Sequence, residues 1–289
     1  MNRMNYLFIT AIIILMIAAL ILMSPLLPIP DPYSAYNVHW NGYSEAVYLC
    51  NATVKYYGIN DAKTVIIIPM IKPSPSFIGN LINFTRNGGV LIIISNGVYY
   101  GNYILKYMGI NASFSNSSII DQVINYVNPN LPIAMINPAF QNAIGAQYIL
   151  LDNSSYIILP GKGNYTIIAQ TSSFSKAGDI NGPFPVIAEI PYGNGSVILI
   201  ADPSIFMNSM INYYGNSALL RWLCDHGNTI FLEGFIAKVT LLDVLRIYGK
   251  YAYTELMTVW AKYLIMTALL VTMAVILMIK EVRGDNNEK

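Results

Sequence analysis

Residues 64–95 read TVIIIPMIKPSPSFIGNLINFTRNGGVLIIIS, and this stretch decides the class of fold. Two β-branched apolar runs, Thr64–Pro69 and Val90–Ser95, bracket a helical pattern over Pro75–Asn87 that Gly88-Gly89 ends. A short run of consecutive apolar residues is the mark of a strand buried on both faces, as in a parallel sheet. Strand, helix and strand in that order make a βαβ unit.

The alternation continues on both sides. Asn41–Gly58 has apolar residues at helical spacing and a glycine at its end, and Val98–Met108 predicts a third helix ended by Gly109. Ser196–Ala201 is another buried-strand run. In VILIADPSIFMN (Val197–Asn208) it ends at Asp202-Pro203-Ser204, where an oxygen-bearing side chain followed by Pro marks a helix start, so Asp202 is expected to cap a helix over Pro203–Asp225. Thr229–Glu233 predicts the last strand. Tyr156–Pro160, Tyr165–Thr171 and Val186–Tyr192 lie between Gly/Asn/Ser turns and predict antiparallel hairpins. The sum is an α/β fold over residues 28–235, with a doubly wound, mostly parallel sheet and an antiparallel hairpin insertion.

Composition adds the bilayer. The 289-residue chain is 55% hydrophobic and 11% charged, too apolar for an ordinary soluble domain. Leu7–Met23 and Tyr263–Ile279 are nearly unbroken apolar runs that, with their flanks, match a hydrocarbon core of roughly 30 Å. They predict an N-terminal transmembrane anchor within 1–27 and a C-terminal transmembrane helix over 259–280, joined to the domain by a proline-rich spacer, Ser24–Pro32, and a membrane-proximal amphipathic helix over 236–258. The first run is read as uncleaved, because it exceeds a signal-peptide core in length and no small-residue cleavage site precedes the spacer. Arg3 before the first run, and Lys280 and Arg283 after the second, put both termini, including the tail 281–289, in the cytoplasm. The central domain is then extracellular on a plasma membrane.

N-x-S/T sequons at Asn51, Asn83, Asn111, Asn116, Asn153, Asn164 and Asn194 all lie between the two runs and are candidate glycosylation sites. A net charge of +1 with no Lys/Arg cluster argues against nucleic acid as a partner. Cys50 and Cys224 either form one disulfide or remain two buried thiols. With His39 and His226 they have no metal-site spacing, so no metal or cofactor is expected.

The order of these elements resembles an uncharacterised membrane-anchored family with a class I glutamine-amidotransferase-like (flavodoxin-like) extracytoplasmic domain. The resemblance rests on Asn41-Gly42-Tyr43-Ser44, the strand ending at Pro69, Phe84–Ile94 (FTRNGGVLIII), Asp202-Pro203-Ser204, Asn208, Asn216-Ser217-Ala218 and Phe231-Leu232-Glu233. It implies a strand-to-helix elbow at Ser95-Asn96-Gly97, where amidotransferases carry a nucleophilic Cys. The residue here is Ser95, and neither histidine falls where the fold would bring a base to it. A turn in which Ser95 caps the next helix accounts for the elbow. Asp202 and Glu233 both end buried strands and would meet at one rim, and a glycosidase needs two carboxyls roughly 5–10 Å apart in a cleft. Gly161-Lys162-Gly163 lacks the spacing of a phosphate-binding loop.

Composition, motifs and resemblance together lead to a membrane-anchored surface protein. Its outer domain is expected to be a non-catalytic binding or scaffolding module contacting other membrane or envelope proteins, with Asp202, Ser204, Asn208, Asn216 and Glu233 as a polar binding rim. The alternatives are an envelope hydrolase acting on glycan or peptide through Asp202 and Glu233 or through Ser95, and an accessory subunit of a membrane transporter.

Overall fold

The computed structural model describes residues 3–23, 29–237, 240–241, 243–246 and 263–272. They belong to two compact units, Pro28–Lys238 and, separately, Met1–Leu27 with Val239–Lys289. In the smaller unit, α1 spans Arg3–Met23, and Ile9, Ile12–Ile17 and Leu20 on it are exposed. Residues 263–272 are also helical. Among the described residues, no helix is long and apolar enough to cross a membrane. The spacer residues 24–28, most of the expected helix over 236–258, the remainder of 259–280 and the tail 281–289 lie outside the described residues.

The larger unit runs α2 Ser44–Leu49, β1 Thr53–Lys55, β2 Thr64–Ile67, α3 Pro75–Arg86, β3 Val90–Ile94, α4 Gly101–Met108, β4 Ser113–Phe114, β5 Ile120–Asp121, β6 Ile133–Ile136, α5 Pro138–Ile144, β7 Tyr148–Leu150, β8 Ile157–Ile158, β9 Thr166–Gln170, β10 Ser175–Ala177, β11 Ile180–Asn181, β12 Pro185–Tyr192, β13 Gly195–Ile200, α6 Asn216–Cys224 and β14 Thr229–Leu232. Nine strands form one sheet in the order β1-β14-β2-β3-β13-β12-β9-β6-β7. From β1 to β13 every pairing is parallel. From β13 to β7 every pairing is antiparallel.

The apolar runs explain the parallel half. Val65 and Ile67 of β2, Leu91 and Ile93 of β3, and Val197 and Leu199 of β13 pack with Ile78, Leu81, Ile104 and Leu105 of α3 and α4 on one face. Ile66, Ile92, Ile94, Ile198 and Ile200 point to the other face, against Ala46 of α2 and Leu219, Leu220 and Leu223 of α6. A period of two inside a continuous apolar run buries both faces, because side chains alternate across the sheet. α3 begins as its sequence requires, with Ser74 Oγ accepting from the Phe77 N–H and Pro75 in the first turn.

Three expectations are corrected. The sheet is mixed rather than mostly parallel, and the antiparallel strands extend it rather than forming a separate hairpin insertion. The helix expected over Asn41–Gly58 is only α2, because Asn51 takes φ 47 and turns the chain into edge strand β1. The helix expected over Pro203–Asp225 begins only at Asn216.

Candidate functional site at the carboxyl edge

In a doubly wound sheet, ligands collect outside the carboxyl ends of the parallel strands. Here that edge is covered by the chain's own segment 29–43. This segment closes on itself through Tyr33 N–H to Asn41 O (2.8 Å) and Tyr43 N–H to Ser34 O (2.9 Å). Buried Asn37 braces it from inside, donating to Asp31 O and to Asn41 Oδ1. Gly42 has no alternative, since a Cβ there would lie 1.8 Å from Asn37 O. Tyr43 is buried, with its hydroxyl donating to Pro203 O at 2.5 Å and its ring 5.8 Å from that of Phe231. Tyr33 packs edge-on against Tyr43 and Tyr99. Burial raises both Tyr33 and Tyr43 above the ordinary tyrosine value, and neighbouring Tyr99 adds to the effect. These phenols stay protonated.

Each residue of the expected rim has a defined place. Glu233 accepts from Ser34 Oγ at 2.5 Å and from the Ala35 N–H at 2.9 Å. Asn208 Nδ2 donates to Asn37 O and His39 O, and its Oδ1 accepts from the Glu45 N–H in the first turn of α2. Asn216 is fully buried, with Nδ2 3.0–3.1 Å from the carbonyls of Leu150, Ile205 and Met210 and Oδ1 accepting from the Leu150 N–H. Its carboxamide thus supplies the polar contacts that an α-helix over 203–215 would otherwise have supplied. Ser204 is half-buried beside Tyr33.

Asp202 is fully buried. Its Oδ1 accepts from the Ser204 N–H (2.7 Å) and its Oδ2 from the Asp152 N–H (2.8 Å). It therefore caps a turn, not the helix expected after it. Burial pushes its carboxyl up to about 7, against the opposing pull of those two N–H groups. A carboxyl near neutrality has the right acidity for proton transfer, but both oxygens are held by backbone and the group has no exposed surface.

Asp202 follows β13 and Glu233 follows β14, with β3 and β2 between them. Three strand steps separate their backbones by roughly 14 Å, and each carboxyl is engaged by the protein itself, Asp202 by two backbone N–H groups and Glu233 by Ser34 and Ala35. Ser95 is fully buried and donates to Asn96 O. Asn96, not Ser95, caps the following turn, its Oδ1 accepting from the Val98 and Tyr99 N–H groups. His39 lies in the covering segment, its backbone N–H donating to Asn37 Oδ1, and the His226 ring packs edge-on near Trp222. Among the described residues, no group of three His, Cys, Asp or Glu could hold a metal.

The pair of cysteines is resolved: Cys50 and Cys224 are joined, closing a sequence separation of 174. All seven sequon asparagines are exposed, whereas the fully buried asparagines Asn37 and Asn216 belong to no sequon. Sequence reasoning missed Tyr33 and Ser34 at this edge, and took Tyr43 only as part of the motif Asn41-Gly42-Tyr43-Ser44. Their signal was the tyrosine-rich PYSAYN just after the proline spacer, where aromatic rings follow a chain that has no reason to be exposed.

The solved structures to which the chain is similar are diverse and distant. One is the mmIFT52 N-terminal domain (15% identity, TM-score 0.47, 57% of this chain and 79% of that one). A β-galactosidase from Bacillus circulans sp. alkalophilus matches at 15% identity and TM-score 0.38, over 63% of this chain but 27% of the enzyme. A ThuA-like protein from Bacteroides uniformis matches at 9% identity and TM-score 0.36, over 61% of this chain and 74% of that one. No curated protein sequence matches. A family model matches residues 35–224, which begins inside the covering segment and ends at the disulfide. By that match the chain belongs to the family described as a domain of unknown function, DUF4350.

Proposed function

We propose that the protein is a membrane-anchored surface module that binds or scaffolds other membrane proteins, with an amidotransferase-like α/β domain outside the cell and both termini inside. One observation carries the reading. The carboxyl edge, where this architecture places chemistry, is filled by residues 29–43, and its polar groups are engaged by the protein itself. Contact with partners is left to the surface, where Trp40, Tyr213 and Tyr214 are exposed. Aromatic side chains of this kind are enriched at protein interfaces.

The exterior assignment draws support from two further features. A disulfide persists in an oxidising compartment, and the sequons are all exposed. The anchors are the apolar run of α1 and the second run over 259–280.

The test is chemical cross-linking in intact membranes, followed by detergent purification of the full chain. A partner integral membrane protein is expected to cross-link to the wild type and to Ser95→Ala, and to be lost from a Trp40→Ala/Tyr213→Ala/Tyr214→Ala variant. Hydrolysis of envelope glycan or peptide that disappears in Ser95→Ala or Glu233→Gln would replace this reading with the hydrolase. Release of the chain from membranes by alkaline carbonate would remove the anchors.

A further inference from the structure

The turn that closes α2 combines four features that no fold requirement brings together. Asn51 takes φ 47, the left-handed conformation usually given to glycine. Its N–H donates to Tyr48 O at 3.0 Å, and the Ala52 N–H donates to Val47 O at 3.0 Å. These two bonds make a Schellman closure with Asn51 in the left-handed position. Asn51 is exposed, and so is Thr53, the third residue of its sequon. Tyr48, three residues before Asn51, is 81% exposed. It takes part in none of the ring contacts among the described residues.

The other sequons lack this combination. The Phe84 ring beside Asn83 lies against Gly89. Tyr192, two residues before Asn194, has Arg86 over its ring and its hydroxyl on Met108 O. Asn153 also takes a left-handed φ of 49, but Tyr156, three residues on, packs its ring 4.7 Å from that of Phe184, and Tyr107, four residues before Asn111, packs against Tyr103. Among the described sequons, the closure of α2 joins a left-handed acceptor asparagine to an exposed tyrosine three residues before it.

We propose that Asn51 is a glycosylation site built to hold its sugar, with the first pyranose of an N-linked glycan lying on the ring of Tyr48. The inference rests on the exterior reading of the domain. In the transfer step, Asn51 Nδ2 attacks the anomeric carbon of a lipid-phosphate-linked oligosaccharide. The C–N bond forms, the C–O bond to the phosphate breaks, Nδ2 gives up one proton and the lipid phosphate leaves. The closure ties the Asn51 backbone to that of Tyr48, which keeps acceptor and ring within one turn of chain. The apolar C–H face of the sugar then removes from water the ring that the protein leaves bare, and such burial is favourable in proportion to the area covered. Asparagine is the one sequon-forming residue that also accepts the left-handed position, so the acceptor and the helix stop are the same residue.

The test uses the full chain from a glycosylating host, with peptide mass spectrometry at each sequon and thermal melts before and after enzymatic removal of glycans. Asn51 is expected to be occupied, and deglycosylation is expected to lower the wild-type Tm by about 2–4 °C more than that of Tyr48→Ala. Asn51→Gly keeps the left-handed turn without the acceptor and should fold. Enzymatic deglycosylation should then lower its Tm no more than it lowers that of Tyr48→Ala. Thr53→Ala, which keeps Asn51 but breaks the sequon, should behave the same way. An empty Asn51 beside occupied sequons elsewhere overturns this inference and leaves the exterior reading standing. An occupied Asn51 with equal Tm losses in wild type and Tyr48→Ala overturns the sugar–ring contact. Seven empty sequons would overturn both.

Discussion

The two edges of the parallel strands are held by different chemistry. At the amino edge, α3 runs out into Gly88-Gly89, Gly193-Asn194 turns β12 into β13, and the ends of α2 and α6 are joined covalently by Cys50–Cys224. At the carboxyl edge, buried side chains join segments that are distant in sequence: Glu233 to Ser34, Tyr43 to Pro203, Asp202 to Asp152 and Asn216 to Leu150. The difference teaches that polar residues gathered where ligands usually bind can be the means of holding a covering segment in place. Their burial, more than their identity, separates that role from catalysis.

Removing the amino-edge bond should be the largest perturbation. Cys50→Ser/Cys224→Ser is expected to cost about 2–5 kcal/mol in urea unfolding, since the bridge closes a very long loop. At the carboxyl edge, Asn216→Ala should cost about 2–4 kcal/mol, because it leaves the Leu150 N–H and several carbonyls buried without their partner. A cost under about 1 kcal/mol would show that 203–215 does not depend on that carboxamide.

Asp202 sharpens the comparison through pH. Its folded value is raised to about 7 from 3.8, so the folded protein holds the proton more tightly than the unfolded chain. The resulting stabilisation is complete below the unfolded value and is lost as pH rises through the folded one. The Tm is therefore expected to fall between about pH 4 and pH 8, and Asp202→Asn should flatten that slope. Asp152, which burial also raises, contributes in the same sense. Tyr43→Phe, which deletes one buried hydroxyl contact, is expected to cost about 1 kcal/mol. Trp40→Ala should stay within about 0.5 kcal/mol in stability while weakening cross-linking to a partner, which separates the surface from the edge beneath it.

The parallel half was legible because its signals are local and redundant. VIII, VLIII and VILI each announce a strand buried on both faces, and Ser74-Pro75 and Gly88-Gly89 bound the helix between two of them. The antiparallel half was harder to read. β6 has four residues with Met135 turned outward, too short a pattern to stand out. Its neighbour α5 did carry start and stop signals, Asn137-Pro138 and Gly145. Ile205, Phe206, Met210 and Ile211 mimic a helical face while being buried in irregular chain. Only the distant contacts of Asn208 and Asn216 decide between the two conformations. The five expected rim residues lie at the carboxyl edge and its surroundings, but nothing in their own neighbourhood of the sequence tells what covers them. That information lies in Tyr33, Ser34 and Tyr43, far away along the chain.

The cross-link has a mechanical consequence. The larger unit begins near Ile29 and ends near Ala237, and Cys50 and Cys224 are covalently joined between those points. Tension applied through the two chain ends would pass from residue 29 to Cys50, across the sulfur bridge, and from Cys224 to residue 237. Residues 51–223, which hold β2, β3 and the entire antiparallel half, lie on a closed loop outside that path. A pull that peels the first and last segments away would leave the loop unloaded until the bridge itself was reduced.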